Sequence, residues 1–587
     1  MTMSNIPKML PEDVTVTRSD PVYMAHGYLT KVPIAAIQPY IEAFTKPGDV
    51  VLDLFAGSGM TGVAAATLGR SARLCDVSVL GRHIGSNYVN LVDSALLTAA
   101  AELVIKAVRE RLSDPYMTTC RRCGLEAETV KVVESAVLAC GECGTHVSFY
   151  ESLEAAGWSK SSMKCLNCSA GISARLPKVA ERAELESIDC SCTKKQLDQT
   201  PNYPTRDWTQ AEITIPSAEI TPDRQMFVAS ALGKHGMTTT RHFFSDRNAV
   251  VLAALHEAIA DLPDEQVRSK MMFAFTAILP RASKRYQWSK ARPLNAANAN
   301  YYVAPVFYEW NVFELFDRKV GAAIKSDAYI RSERIRKQAT NPIDLEYHTA
   351  SAVALPFEDN SIDYVFTDPP FGWNIFYSDM NLFQEAWLVG ETVAADEAVI
   401  DRTATANTRT SERYEAMLVQ ALRECQRVLR PGGWVTVVFG NSSGAVWEVV
   451  QRAILTAGMF IDPRTIASLD KGQRSVKGLS SGFENVATHD LILSLRPIED
   501  GDRIEIFKPT SVEIEDAVQE SMASSDSPSH LYIQLLKTAL KKGWALGSID
   551  LKVVTRTLLD AGYEVDSKSG KFVHTLPPKP EQASFAI

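Results

Sequence analysis

The tetrapeptide Asp368-Pro369-Pro370-Phe371 combines residue types suited to gripping a flat polar ring. It follows the apolar run Ile362-Asp363-Tyr364-Val365-Phe366-Thr367, which reads as a strand, and so falls at that strand's carboxyl end, where ligand chemistry in open α/β sheets gathers. Each proline fixes φ and lacks an N–H donor, which leaves nearby carbonyls free to accept hydrogen bonds. Asp368 adds a carboxylate acceptor and Phe371 a flat apolar face. The set suits a planar base with an exocyclic NH2. Its two N–H groups would donate to the Asp368 side chain and the Pro369 carbonyl, and Phe371 would stack on the ring. The plain alternative is a proline-rich surface turn.

A second set makes that alternative weak. Val50-Val51-Leu52-Asp53 reads as a strand buried on both faces, and Leu54-Phe55-Ala56-Gly57-Ser58-Gly59 as a glycine-rich turn. Thr61 to Leu68 then reads as a helix stopped by Gly69. Gly57 and Gly59 allow a sharp bend and close approach to a ligand. A further strand, Ala72 to Cys75, ends in Asp76, an acid placed to accept both ribose hydroxyls of an adenosine. The run Gly57-Ser-Gly59-Met-Thr-Gly62 also fits a dinucleotide-binding pattern. Asp53 at the strand end, followed by Phe55-Ala56-Gly57, argues against that ligand.

The third set is eight of the ten cysteines, spaced as Cys120-x2-Cys123, Cys140-x2-Cys143, Cys165-x2-Cys168 and Cys190-x-Cys192. Close pairs of thiolates on tight turns are zinc-ribbon spacing, and the count gives two four-thiolate Zn2+ sites with a structural role. The simplest pairing joins 120/123 with 140/143 and 165/168 with 190/192; an interleaved pairing is possible, and His146 could substitute as a ligand. Met1 to Asp20 is polar and lacks an apolar signal segment, so a cytoplasmic chain with reduced thiols is expected.

The elements that must position these sets follow from periodicity. Residues 85 to 112 read as helix, Ala249–Leu262 and Arg268–Leu279 as amphipathic helices, and Tyr414 through Leu429 as one helical face that makes Cys425 a core residue. Arg430-Pro-Gly-Gly433 is a turn before a buried strand, Trp434 to Phe439. Ser521–Ser529 reads as a linker. Two helices and a hairpin after it suggest a small winged-helix-like module. The 587 residues are ordinary globular material, 46% hydrophobic and 22% charged, and no apolar run is long enough for a membrane span. A net charge of −9 confines any nucleic-acid site to a local basic patch. Arg281 to Arg292 is one: Lys284, Arg285, Lys290 and Arg292 are placed for phosphates, and Tyr286 and Trp288 for bases.

Asp53 through Gly59 resembles the D-x-F-x-G-x-G motif of S-adenosylmethionine (SAM) dependent amino-methyltransferases, and Leu429 to Gly433 with its helix and strand is similar to a unit frequent in SAM-dependent enzymes. Together with the cysteine pairs, Tyr301 through Trp310-Asn311, Asp368–Phe371, Tyr377-Ser378-Asp379 and Trp387-Leu388, the chain resembles the zinc-ribbon-containing adenine-specific DNA methylases of prokaryotes over residues 20 to 500. The resemblance implies an α/β, Rossmann-like SAM-dependent methyltransferase sheet. It is split into residues 1–114 and 341–500, with a zinc ribbon at 115–197, a helical recognition region at 198–340, and a linker and C-terminal module at 501–587. It implies SAM contacts from Lys31, Asp53, Phe55, Ala56, Gly57, Gly59, Asp76 and Ser351. An acid is frequent in related enzymes where Ser351 stands, and Tyr where Phe371 stands. It also implies double-stranded DNA as partner, restriction or defence-system proteins as further partners, and a prokaryotic or phage-encoded source.

Rival readings share parts of this pattern. Cytosine-N4 DNA methyltransferases use the same chemistry, though they more often carry Ser or Thr at the position of Asp368. RNA or tRNA guanine-N2 enzymes share the turn and the D-P-P-[FY] motif. A cytosine-C5 enzyme needs a Pro-Cys nucleophile, and the sequence has no such dipeptide. A non-catalytic DNA-binding scaffold would need neither the intact turn nor Asp368.

Overall fold

Short apolar runs flanked by turns build the centre of the molecule. In a computed structural model of the chain we describe residues 10–204, 206–290, 301–372, 375–401, 409–470, 489–500, 502, 504–522, 527–560, 562–565 and 572–574. Nine strands among these form one mixed sheet, ordered Asp13–Thr15, Ala467–Asp470, His489–Pro497, Leu429–Phe439, Ile362–Thr367, Val50–Asp53, Ser71–Asp76 and Leu345–Thr349, with Met459–Ile461 also on His489–Pro497. His489–Pro497 runs antiparallel to Leu429–Phe439; the strands from there to Leu345–Thr349 pair in parallel.

The two-residue period of a strand sends alternate side chains to opposite faces. Val51, Tyr364 and Phe366 go to one core with Ile37, Tyr40 and Val63. Leu52 and Val365 go to the other with Leu418, Leu422 and Val446. Helices therefore cover both faces. That is why the strand sequences are continuous apolar runs rather than alternating ones.

The chain leaves the sheet after Asp76 and rejoins it at Leu345, which pairs with Ala72. Between these points the expected single helix over 85–112 is two, Val79–Val89 and Ser94–Leu112. They are broken where Asp93 caps the second by accepting from the amides of Ala95 and Leu96. Glu126–Ala139 and Lys178–Asp189 then form a long antiparallel hairpin, and Val306–Trp310 pairs with the first of these strands. Val133 of the hairpin, Val104, Leu252, Phe275 and Phe316 of the helices, and Leu382 and Trp387 share one core. The expected boundary between a ribbon at 115–197 and a separate region at 198–340 is thus bridged by a strand and a common interior.

At the C-terminus, helices Ser511–Met522, Pro528–Lys542 and Leu551–Asp560 precede a two-stranded hairpin, Tyr563–Val565 with Phe572–His574. The first of these helices replaces part of the expected linker. The helices are docked on the sheet domain: Trp544, Leu546 and Ile549 join the core of Leu418 and Val446. A Cβ added at Gly444 would lie 2.6 Å from the Leu546 carbonyl oxygen. No helix among the described residues is long and apolar enough to cross a membrane.

Candidate active site

The sheet order reverses between Val50–Asp53 and Ile362–Thr367, whose carboxyl ends lie side by side. Such a switch point is where open α/β sheets bind ligands. A cleft of about 920 Å³, partly open to solvent, lies there. Its walls include Lys31, Asp53, Phe55, Ala56, Gly57, Asp76 and Ser351 from the expected cofactor set, and Asp368 and Pro370 from the tetrapeptide.

Asp53 is buried and ties the turn to both strands. Its Oδ2 accepts from the Thr61 hydroxyl (2.6 Å), and its Oδ1 from the Phe55 amide (3.1 Å) and the Thr367 hydroxyl (2.8 Å). Burial raises its pKa to about 6, against the opposing pull of these donors. Asp76 accepts from the amides of Gly57 and Ser78, each at 2.8 Å. Burial raises its pKa too. A carboxylate offers about four lone-pair sites, so Asp76 retains acceptor capacity toward the cleft. The Tyr347 hydroxyl donates to the Gly57 carbonyl at 2.6 Å, so the turn is held from both sides. Gly57 has φ +48° and Gly59 φ +77°. A Cβ on Gly59 would lie 2.6 Å from the Gly85 Cα, so Gly59 serves helix packing and is not itself part of the cleft wall.

Lys31 is buried with its ammonium donating to the carbonyls of Tyr23 and His26, the latter at 2.8 Å. Burial, reinforced by Lys319, brings its pKa down to about 7. Ser351 lines the cleft with Ala352 and Val353.

The tetrapeptide backbone is pinned from three elements. The Tyr414 hydroxyl donates to the Pro370 carbonyl (2.6 Å), Asn441 Nδ2 to the Phe371 carbonyl (2.8 Å), and the Ile400 amide to the Gly372 carbonyl (3.2 Å). Pro369 faces an apolar pocket with Leu418 and Val437. The Phe371 ring packs on Phe439, centroids 4.9 Å apart, and is absent from the described walls of the cleft. The ring is half-buried, with one side against the core. The apolar ring, with its carbonyl fixed by Asn441, finds the Phe439–Trp447 cluster.

The tyrosine rings that do line the cleft, Tyr28 and Tyr377, stack on each other with centroids 6.1 Å apart. Tyr377 shares a 2.7 Å hydrogen bond with the Thr30 hydroxyl. Glu397, also a wall residue, is buried and accepts from the amides of Tyr377 and Ser378 and from the Ser378 hydroxyl (2.7 Å). Burial raises its pKa to about 7. Sequence reading missed Tyr28, Tyr377 and Glu397 as wall residues. Tyr377 stood in the resemblance through Tyr377-Ser378-Asp379, but with no role in the cleft.

The basic loop departs from its expected role. Lys284 pairs with Glu181 at 2.9 Å. Arg285 is buried, with its guanidinium over the rings of Tyr301 and Phe383. Tyr286 is buried beside Tyr308 and Trp310, and Trp288 packs on Tyr150 and Trp158. These groups fasten the helical region to the hairpin. Lys290 is exposed and sits over Trp158; Arg292 lies outside the described residues.

The cysteines form two clusters, Cys120/Cys123/Cys190/Cys192 and Cys140/Cys143/Cys165/Cys168. This corrects the simplest pairing. The hairpin is antiparallel, so each pair near its start meets the pair from its other strand at the same end. The Sγ separations of Cys120–Cys192, Cys123–Cys190, Cys140–Cys168 and Cys143–Cys165 are 3.9, 3.5, 3.7 and 3.8 Å. Tetrahedral Zn–S bonds of about 2.3 Å require sulfur edges of about 3.8 Å, whereas a disulfide requires about 2.05 Å. Both clusters therefore fit a four-thiolate zinc. His146 is exposed and belongs to neither.

A mixed sheet with this cleft at its switch point is the architecture of an α/β protein for nucleotide-type ligands, consistent with a methyltransferase fold. Residues 13–93, which carry Asp53, the glycine turn and Asp76, match the DNA methylase family. A stretch of 74 residues is 56% identical to a protein described as "Putative methylase YubD" from Escherichia coli (strain K12). It covers 12% of this chain and 32% of that relative, so the similarity spans about a third of the relative's length.

Proposed function

We propose that this protein is a DNA methyltransferase that moves a methyl group from SAM to the N6 amine of adenine. The observation that carries the reading is the convergence, on one cleft, of the DNA-methylase-like turn and Asp368 from the adjacent strand end. Asp76, Gly57, Ala56, Phe55, Lys31 and Ser351 would hold the cofactor. When bound it supplies an electrophilic methyl on a sulfonium.

The target amine lies inside the duplex, so the base must be extruded before it can reach the cleft. Its lone pair is delocalised into the ring and is a poor nucleophile. Asp368 and the Pro369 carbonyl accept the two N–H groups and draw the nitrogen toward sp³. The N–CH3 bond forms as the S–CH3 bond breaks, the sulfonium becomes a neutral thioether, and the surplus amine proton leaves through Asp368 to solvent. No covalent intermediate on the protein is required. Stacking on the extruded base falls to Tyr377, worth about 1–3 kcal/mol. Phe371 buttresses the tetrapeptide from the core side.

Asp368→Ala should lower methyl transfer by at least about 10³-fold while SAM affinity stays within about threefold. Nucleoside analysis of the product should give N6-methyladenine. N4-methylcytosine would move the reading to the cytosine-N4 reaction, which uses the same chemistry. Methylated guanine in RNA, or near-normal turnover of the variant, would refute it.

A further inference from the structure

The two cysteine clusters hold the same four-thiolate set but carry different surfaces. At one, the turn inside Cys120-x2-Cys123 is Arg121-Arg122, and Lys194-Lys195 follow Cys192. All four are exposed. At the other, the turns hold Gly141-Glu142 and Leu166-Asn167, with Lys164 ahead of Cys165. The first end thus gathers four cations and one acid, Asp189 ahead of Cys190, where the second has one acid and one base. The bland explanation is that cations near Cys120 offset the negative charge of a four-thiolate metal site. The second cluster assembles without such a set, so holding a metal does not require it.

Arg121 has a structural task, donating to the carbonyls of Thr200 (3.0 Å) and Pro201 (3.2 Å). Arg122, Lys194 and Lys195 make no ion pair among the described residues. The cluster's thiol sulfurs lie within 4.8 Å of one another, and these three residues are at most three positions from a ligand cysteine. Their attachment points therefore fall within about 25 Å of one another. A duplex carries one charge per roughly 1.7 Å of axis, so several phosphates fall within that span. The exposed acids Glu126, Asp189 and Asp198 lie on the flanking strands rather than in the turns, and Asp198 accepts from the Ser187 hydroxyl. With Lys284 and Arg285 committed to internal contacts, this cluster offers an exposed basic surface among the described residues to serve a nucleic acid.

We propose that the Cys120 end of the hairpin, through Arg122, Lys194 and Lys195, binds the phosphate backbone of duplex DNA; this rests on the DNA reading above. The hairpin strand of 14 residues sets the two cysteine clusters about 45 Å apart, so one end can grip DNA while the other does not. The contact is sequence-independent and salt-linked.

The test is duplex affinity by fluorescence anisotropy across a KCl series, with the full-length zinc-loaded protein. The triple variant Arg122→Ala/Lys194→Ala/Lys195→Ala should flatten the plot of log K against log[salt] by about two to three units, near 0.9 per lost phosphate. Glu142→Ala at the other cluster should leave the slope as in the unaltered protein. Lys194→Gln/Lys195→Gln lies outside the cysteine spacings. It should flatten the slope by one to two units and decides the matter if the triple variant loses zinc. An unchanged slope in a zinc-replete variant overturns the proposal and leaves the methyltransferase reading intact. If the unaltered protein itself fails to bind duplex, the DNA reading fails instead. Tighter, equally salt-linked binding of hairpin RNA than of duplex DNA overturns the assignment to DNA.

Discussion

Glu397 shows how one buried group serves both architecture and electrostatics. It closes the first turn of the Tyr377–Glu385 helix by accepting from two amides and a hydroxyl, and it forms part of the cleft. Burial raises its pKa from 4.5 to about 7; Arg409 opposes the rise and Asp379 adds to it. A carboxyl raised in the folded state binds its proton more tightly there than in the unfolded chain. Its contribution to stability is complete below about pH 4.5 and is lost as pH rises through about 7. Glu397→Gln keeps the shape and one acceptor but cannot ionise. It should match the unaltered protein in urea at pH 5 and exceed it at pH 8 by on the order of 1–3 kcal/mol. Equal midpoint differences at the two pH values would mean that this carboxyl does not titrate as placed. Asp53, raised to about 6 by burial, acts in the same direction over a lower window.

At the level of elements, the sheet around the cleft was readable because its signals are local. A strand that stops in Asp53 and a turn with glycines at φ +48° and +77° leave their mark within ten residues, and so does a strand that stops at Asp368. The basic loop was misread because its partners are distant. Glu181, which takes Lys284, lies 103 residues away, and Tyr308 and Trp310, which enclose Tyr286, come from a strand of the hairpin sheet. Five cations without an acid in sequence resemble a free surface, and only the fold supplies the acid and the rings. The contact of Phe371 with Phe439 was hidden for a similar reason, since Phe439 reaches it from another strand. The corrected placement changes what mutation should do. Lys284→Ala/Arg285→Ala removes a partly buried ion pair and a buried guanidinium stacked over Tyr301 and Phe383. It should lower the thermal midpoint by several degrees without altering the salt slope of DNA binding. A flattened slope with an unchanged midpoint would return this loop to the nucleic-acid surface.

Across the whole molecule, the chain departs from the sheet after Asp76, builds a hairpin-and-helix body, and returns at Leu345 beside the strand it left. The return strand places Ser351 in the cleft, so the inserted body and the cleft share a frame. The hairpin makes that frame rigid only if its ends are closed, and each end is closed by four cysteines drawn from two distant parts of the chain. The spacing announced the ligands. It could not announce the partners, because pairing depends on the antiparallel register of Glu126–Ala139 with Lys178–Asp189, which no local pattern encodes. The register makes a stoichiometric prediction that separates the nested arrangement from pairing in sequence order. The intact protein should bind about two zinc ions per chain. Cys120→Ser should reduce this to about one, and adding Cys190→Ser should cost no further zinc, because both belong to one site. Adding Cys140→Ser to Cys120→Ser should instead reduce the content to about zero, whereas pairing in sequence order would give the opposite result for the two double variants. Loss of either ion should expose amides of the adjoining hairpin end to hydrogen exchange while those of Val50–Asp53 and Ile362–Thr367 stay protected, since structural thiolate sites couple metal binding to local folding. Zinc content by elemental analysis, read beside exchange on the same samples, decides both points.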